Sequence, residues 1–181
     1  MMEKKILYTI GHSNQSFEDF AEILQSHSIN VIVDVRSVPA SKYTPQFNKE
    51  PLQASLKHMN ITYMSFAEEF GARRTDAFDE NNNVNFEKAV TTPAFQRGVQ
   101  RLLIGLEKGY RISLMCSEAN PIECHRFAMV SRYFYEHDVD VRHIMKEKEA
   151  GEEPKIIVVG HRELQDRMVA EYVRKKKIPA V

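Results

Sequence analysis

Short apolar runs alternate with helical patterns along nearly the whole chain, and this alternation restricts the folds that are open to it. Runs of strand length occupy 6–10, 31–35, 61–66, 112–115, 139–144 and 156–159. Apolar residues recur at helical spacing in 16–28, 49–59, 86–90, 92–106 and 163–175, and again after Cys124. Strands and helices in alternation predict right-handed crossovers, so we expect a three-layer α/β domain with a mostly parallel sheet.

Length and charge set further limits. A chain of 181 residues with 43% hydrophobic content predicts one domain over 1–181, in which about 156–177 extends the core as a strand and a helix. The formal net charge is zero, so no overall field attracts nucleic acid or a membrane. The apolar runs are far shorter than a membrane span, and no signal-type segment follows Met1, so we expect a cytoplasmic protein.

Both cysteines lie in the segment 115–126, which joins an apolar run to a predicted helix. Cys116 ends the run, and the pattern places Cys124, His125 and Arg126 in the first turn of the helix. Two cysteines are too few for a secreted disulfide scaffold. A thiol at a helix start becomes more acidic and the free amides there favour an anion, so the segment is a candidate site.

Polar side chains follow three of the predicted strands. His12 and Ser13 follow the first strand, Arg36 the second, and Cys116 a later one. The carboxyl ends of parallel strands share one edge of the sheet, and ligands bind in the crevice there. The sequence therefore predicts that these residues converge.

Short motifs recur in a fixed order between about 8 and 144, and their joint order is more specific than any one of them: 9–13 with Phe17, 34–41, 47–48, 61–63, 70–71, 115–118, 124–126 and 143–144. Through these segments the chain closely resembles the domain of unknown function 488 family. One departure is Ala72, where related sequences often have a second glycine. The resemblance implies a Rossmann-like α/β fold and brings no established reaction.

Our first hypothesis is an enzyme, a hydrolase or transferase, with a crevice for a small phosphorylated or nucleotide-like anion. The candidate catalytic residues carry thiol, imidazole or carboxylate groups: His12, Cys116, Glu118, Cys124 and His125. The candidate ligand-binding residues are Gly11, Ser13, Arg36, Ser41, Tyr63 and Arg126. Structural roles remain open for several of them, because Cys116 could be a buried strand end and Asp34 could form a structural pair with Arg36.

Two other classes stay open. Cys116, Cys124 and a histidine could hold zinc or iron, or the thiols could form a reversible disulfide, although the first hypothesis assigns no metal ligand and the cofactor is unknown. A nucleic-acid-binding module is disfavoured by the zero net charge. Motif spacing excludes a zinc deaminase, which needs a Cys-x-x-Cys pair, and a tyrosine-phosphatase loop, in which an arginine would replace Ile122. The sequence does not indicate an oligomeric state.

Overall fold

A six-stranded, mostly parallel sheet organises the chain, and the computed structural model describes residues 3–177. The strands are β1 (Ile6–Gly11), β2 (Val31–Asp34), β3 (Thr62–Ser65), β4 (Ile112–Cys116), β5 (Asp140–Glu147) and β6 (Lys155–Gly160). Their spatial order is β3-β2-β4-β1-β5-β6, with β6 antiparallel to β5 and the other pairs parallel. The prediction of a mixed α/β fold with a mostly parallel sheet is confirmed.

The α-helices are α1 (Phe17–Ser26), α2 (Lys49–His58), α3 (Ala67–Phe70), α4 (Phe86–Ala89), α5 (Pro93–Glu107), α6 (Arg132–Glu136) and α7 (His161–Lys177). Ser16 caps α1 and Thr92 caps α5, as their sequences predict, because each hydroxyl accepts a bond from the backbone N–H three residues later. Asn48 occupies the N-cap position of α2, as its sequence predicts, but its side chain makes no capping bond, because its Oδ1 accepts from the backbone N–H of Ser41 at 2.6 Å.

The helix after Cys124 begins at His125, one residue later than its pattern predicts, and is less regular. A 3₁₀ turn (Pro121–Glu123) precedes Cys124, whose backbone is extended, and a π-helical stretch (Arg126–Ser131) then leads into α6. Cys124 therefore lies immediately before the helix and its carbonyl accepts from the amides of Phe127 and Ala128, whereas His125 already has a helical backbone, as predicted. A π-helical stretch adds a residue to the turn, and such stretches occur frequently at functional sites.

The segment 68–85 has no periodic apolar pattern in its sequence, yet it contains helix and buried side chains. It begins within α3, whose Phe70 is fully buried against Phe66 and Phe95. Arg74 is buried as well, with bonds to Asp76, the backbone of Glu69 and Thr92. Contacts of the buried Phe70 ring and the hydrogen bonds of Arg74 therefore hold this segment against the rest of the domain.

Two hydrophobic clusters cover opposite faces of the sheet, because successive strand residues point in opposite directions. One cluster contains Val31 and Val33 and includes side chains of α5 and α6, while the other contains Ile32 and includes side chains of α1 and α2. Of the helices within 3–177, none has the length and apolar character needed to cross a membrane.

Candidate functional site

The carboxyl ends of β2, β4 and β1 lie side by side, so the polar residues that follow these strands share one edge of the sheet. Parallel pairing extends beyond β1, because the amides of His12 and Ser13 donate to the carbonyls of Cys116 and Ser117, both at 2.9 Å. Both amides therefore hold together the loops that follow β1 and β4, and the amide of Ser13 is not available to a ligand.

The candidate residues fall into two groups on opposite faces. Side chains two residues apart in a strand lie on the same face of the sheet. The side chain of Asp34 therefore lies on the face of Ile32, towards α1 and α2. The side chain of Cys116 lies on the face of Leu114, towards α5 and α6. We call Asp34, Arg36, Tyr63 and His12 the arginine network. We call Cys116, Cys124, His125, Arg126 and Glu118 the thiol cluster.

The arginine network is a buried ion pair with its hydrogen bonds complete. Arg36 donates from Nε to Asp34 Oδ1 at 2.9 Å and from Nη2 to Asp34 Oδ2 at 2.7 Å. Nη2 also donates to the carbonyl of Phe47, and the Tyr63 hydroxyl donates to Asp34 at 2.6 Å. Burial lowers the pKa of Arg36, but the Asp34 carboxylate outweighs it and the net shift is upward. Most of the guanidinium is therefore committed to protein partners.

His12 is held as a neutral imidazole. Its Nδ1 lies 2.7 Å from the Ser13 carbonyl and its Nε2 lies 3.2 Å from Arg36 Nη1. Because a carbonyl only accepts and a guanidinium only donates, Nδ1 carries the proton. Burial, with a smaller contribution from Arg36, lowers the His12 pKa to about 4. The ring stacks on Phe47 with centroids 4.4 Å apart.

The thiol cluster brings three metal-ligating side chains together. One ligand atom each from Cys116, Cys124 and His125 lies within 4.8 Å of the other two, and Cys124 Sγ is 3.8 Å from His125 Nδ1. The opposite ring nitrogen of His125 is 3.0 Å from the Val35 carbonyl, so it must donate there. The Nδ1 lone pair is thereby directed at the thiols.

The ionisable groups of the thiol cluster shift one another's pKa values. Hydrogen bonding to Cys124 and burial both raise the pKa of the Cys116 thiol. Burial lowers the pKa of His125, but Cys116, the Val35 carbonyl and Glu118 outweigh it and the net shift is upward. Glu118 is exposed at the rim, and bonds from Cys116, its own backbone and Cys124 lower its pKa although partial burial opposes this.

Arg126 is the least satisfied polar side chain of the cluster. It is 0% exposed, and burial lowers its pKa while Cys124, Cys116 and Glu118 favour its charge. Nη2 donates to the Glu118 carbonyl at 3.3 Å, but Nε and Nη1 have no hydrogen-bond partner among residues 3–177. A buried guanidinium in this state needs negative charge beside it.

Gly11 explains why the β1 and β4 loops can approach so closely. A Cβ atom built on it would lie 1.8 Å from the Glu118 carbonyl oxygen. The same carbonyl accepts from Arg126, so the glycine positions the backbone of the thiol cluster. The other predicted ligand-binding residues have local roles: the Ser41 hydroxyl accepts from the Tyr43 amide, and Ser13 is a residue of positive φ.

Sequence reasoning missed the main-chain partners, Val35 and Phe47, because their carbonyls leave no mark in residue type. It also missed a buried chain in which Thr9 Oγ1 is 2.8 Å from His143 Nδ1, and His143 Nε2 is 3.0 Å from His161 Nδ1. The sequence signal for this chain is the position of its histidines: His143 lies within an apolar strand, and His161 directly follows another.

Comparison with known proteins identifies the family alone. No curated protein and no solved structure matches the chain. A family model does match, over residues 16–133, and it spans α1 to the start of α6, with both cysteines and Arg36. The chain belongs to the family described as Domain of unknown function DUF488.

Proposed function

We propose that this protein is a metal-dependent enzyme of the hydrolytic class, with one Zn²⁺ held by Cys116, Cys124 and His125. The observation that carries the proposal is the convergence of these three ligand atoms within 4.8 Å. In a tetrahedral zinc site, sulfur and nitrogen ligands lie about 3.5 Å apart, close to the 3.8 Å from Cys124 to His125. A small movement of the side chains would close the site.

The surroundings of His125 support this assignment. Metal-ligating histidines almost always donate their second ring N–H to a carbonyl or carboxylate, which fixes the tautomer and the ring orientation. The bond from His125 to Val35 is of this kind. A zinc ion would also displace the proton that the raised pKa leaves on the Cys116 thiol.

Charge balance supports it as well. Two thiolates and one Zn²⁺ sum to zero, and Arg126 and Glu118 contribute one charge of each sign. A bound zinc would therefore add no net positive charge beside the buried Arg126, which Glu118 would balance.

Three protein ligands are typical of catalytic zinc, because the fourth position stays open for water or substrate. A bound zinc would supply an acidic water at that position, and Glu118 at the rim would be the carboxylate that could accept its proton. The spacing of the sequence still excludes the zinc-deaminase motif, and only the donor set is shared with that class.

Metal analysis tests the proposal. Protein purified without a histidine tag should contain one zinc per chain, and Cys116→Ser, Cys124→Ser and His125→Ala should each lose it while retaining the far-ultraviolet circular dichroism of the wild type. His58→Ala, an exposed histidine of α2, is the matched control and should keep the metal. Metal-free protein that does not take up zinc on titration would overturn the proposal.

A second candidate is the anion-binding enzyme that the sequence suggests, in which a phosphate or carboxylate approaches Arg126. The unpartnered Nε and Nη1 atoms favour it. A thermal-shift screen of nucleotides and sugar phosphates tests it: stabilisation of metal-free wild type that disappears in Arg126→Met supports the candidate, and identical responses reject it.

We also propose that the fold is of the three-layer, Rossmann-like kind and that the protein is cytoplasmic. The parallel strands and the hydrophobic clusters on both faces support the first, and the two free cysteines fit a reducing compartment.

A further inference from the structure

The two thiols of the chain lie close enough to react with each other. Cys116 shares a hydrogen bond with Cys124, and their sulfur atoms are within 4.8 Å of one another. Both cysteines are free, and the chain has only these two, so neither sulfur has another intramolecular partner. A disulfide bond is about 2 Å long, so the sulfurs need to approach by less than about 3 Å to form it.

The backbone allows Cys124 to make this movement. Cys116 ends β4 and is held by pairing with Gly11 of β1. Cys124 instead has an extended backbone between a 3₁₀ turn and the helix that contains the π-helical stretch. A 3₁₀ turn has poorer hydrogen-bond geometry than an α-helix, so Cys124 is the thiol that can shift at the lower cost.

Cys124 is also the sulfur better placed to attack an oxidant. Its Sγ accepts from the backbone N–H of Arg126 at 3.4 Å, and the lone pair of His125 Nδ1, which can take the thiol proton, is 3.8 Å away. The buried Arg126 guanidinium acts more strongly on Cys124 than on Cys116. A donor and a cation stabilise the negative charge that a cysteine sulfur carries as a nucleophile.

We propose that the two cysteines form a peroxide-reactive pair, in which Cys124 attacks the oxidant and Cys116 closes a disulfide that empties the metal site. The Cys124 sulfur attacks the hydroxyl oxygen of a hydroperoxide ROOH, so that an S–O bond forms, the O–O bond breaks, and ROH leaves with the proton from His125. The Cys116 sulfur then attacks the Cys124 sulfenic acid, so that the S–S bond forms, the S–O bond breaks, and water leaves with the Cys116 proton. The sulfurs lose the two electrons that the peroxide oxygens gain.

The consequence for the metal rests on the function proposed above. Thiolate is the form of cysteine that binds zinc, so the disulfide leaves His125 as the one remaining ligand of the three. Zinc should therefore be released in step with disulfide formation. Both sulfurs are already deprotonated in the zinc-loaded protein, so the two protons of the alcohol and the water come from solvent there.

Burial restricts the oxidant to small hydroperoxides. Cys116 and Cys124 are 4% and 5% exposed, whereas Glu118 is exposed at the rim of the cluster. Thiol–disulfide exchange requires access to the attacking sulfur, and a peptide disulfide such as oxidised glutathione is too large for it here. Hydrogen peroxide is little larger than water and passes the rim.

Thiol counting on the full chain tests the pair, with hydrogen peroxide as the oxidant and oxidised glutathione as the matched control. Metal-free wild type should lose both thiols to hydrogen peroxide, run as a single chain on a non-reducing gel and regain both thiols in dithiothreitol, and it should keep them in oxidised glutathione. Zinc-loaded wild type should release its zinc to a chromophoric chelator in proportion to the thiols lost. Cys116→Ser should stop at a sulfenic acid that dimedone traps, and Cys124→Ser should give no such adduct.

Thiols that persist in hydrogen peroxide, chains cross-linked to each other, or an equal reaction with oxidised glutathione overturn the pair. Zinc that stays bound after both thiols are lost overturns it as well, and a dimedone adduct in Cys124→Ser alone overturns the choice of attacking sulfur. Protein that takes up no zinc yet closes the disulfide refutes the metal proposal and supports the thiol pair, because the metal-free reaction needs no zinc.

Discussion

The arginine network and the thiol cluster lie at the same edge of the sheet, and each contains a buried arginine, a histidine and a carboxylate. They differ in how many hydrogen bonds of the buried arginine find a partner within the protein. Arg36 has Asp34, Phe47 and His12 around its guanidinium. Arg126 has one long bond to a carbonyl and two nitrogens without a partner in the described chain. A network that is complete without a ligand is a structural support, whereas an incomplete one beside gathered metal-ligating atoms indicates where a ligand belongs.

The largest effect is expected from breaking the complete network. Arg36→Met leaves Asp34 buried without its counter-ion and should lower the free energy of unfolding by about 3–5 kcal/mol. Urea unfolding measures the loss, and Arg97→Met, which removes an exposed pair with Glu68, should cost about 1 kcal/mol or less. Zinc content should be unchanged in the folded fraction of both variants.

A smaller loss is expected where the two loops meet. Gly11→Ala places a Cβ against the Glu118 carbonyl, so the backbone must shift at a cost of about 1–3 kcal/mol. The shift should also weaken zinc binding, measured by competition with a chromophoric chelator. Gly109→Ala offers a contrast: there φ is +84° but nothing lies within 4 Å, so it should lose stability without losing metal affinity. Equal zinc affinity in Gly11→Ala and wild type would separate Gly11 from the thiol cluster.

The convergence of the site residues could be predicted from the sequence, whereas their division between two faces of the sheet could not. The runs that became β1, β2 and β4 predicted convergence at one edge, because parallel strands end together. The candidate residues lie on two faces because the side chains of Asp34 and Cys116 point in opposite directions. This depends on the register of β2 and β4, in which Asp34 is paired with Met115, and the sequence does not indicate that register. The π-helical stretch that begins at Arg126 could not be predicted either, because it has the same apolar pattern as an α-helix over one turn.

The next effect depends on pH and belongs to the arginine network. His12 has a pKa of about 4 in the folded protein against 6.5 for an unperturbed histidine. A lowered folded pKa contributes stability above the unfolded value, and this is lost as the pH falls from about 6.5 towards 4, by roughly 1.4 kcal/mol per pH unit. Urea unfolding across this range should show a smaller slope for His12→Asn than for wild type, and equal slopes would contradict the neutral, buried His12.

The smallest effect should come from the incomplete cluster. Arg126→Met removes a buried charge that is poorly partnered, so the metal-free protein should keep or gain stability, in contrast to the same substitution at Arg36. Urea unfolding after chelation gives the comparison. Loss of stability equal to that of Arg36→Met would show that Arg126 is satisfied without a ligand, and the contrast between the two regions would fail.

X-ray absorption at the zinc edge tests the central claim most directly, because it reports the ligands themselves. A zinc held by Cys116, Cys124 and His125 should show two sulfur neighbours at about 2.3 Å and nitrogen or oxygen neighbours at about 2.0 Å, and any metal retained by Cys124→Ser should have one sulfur neighbour fewer. A spectrum of nitrogen and oxygen ligands alone, or protein that binds no zinc, would contradict it.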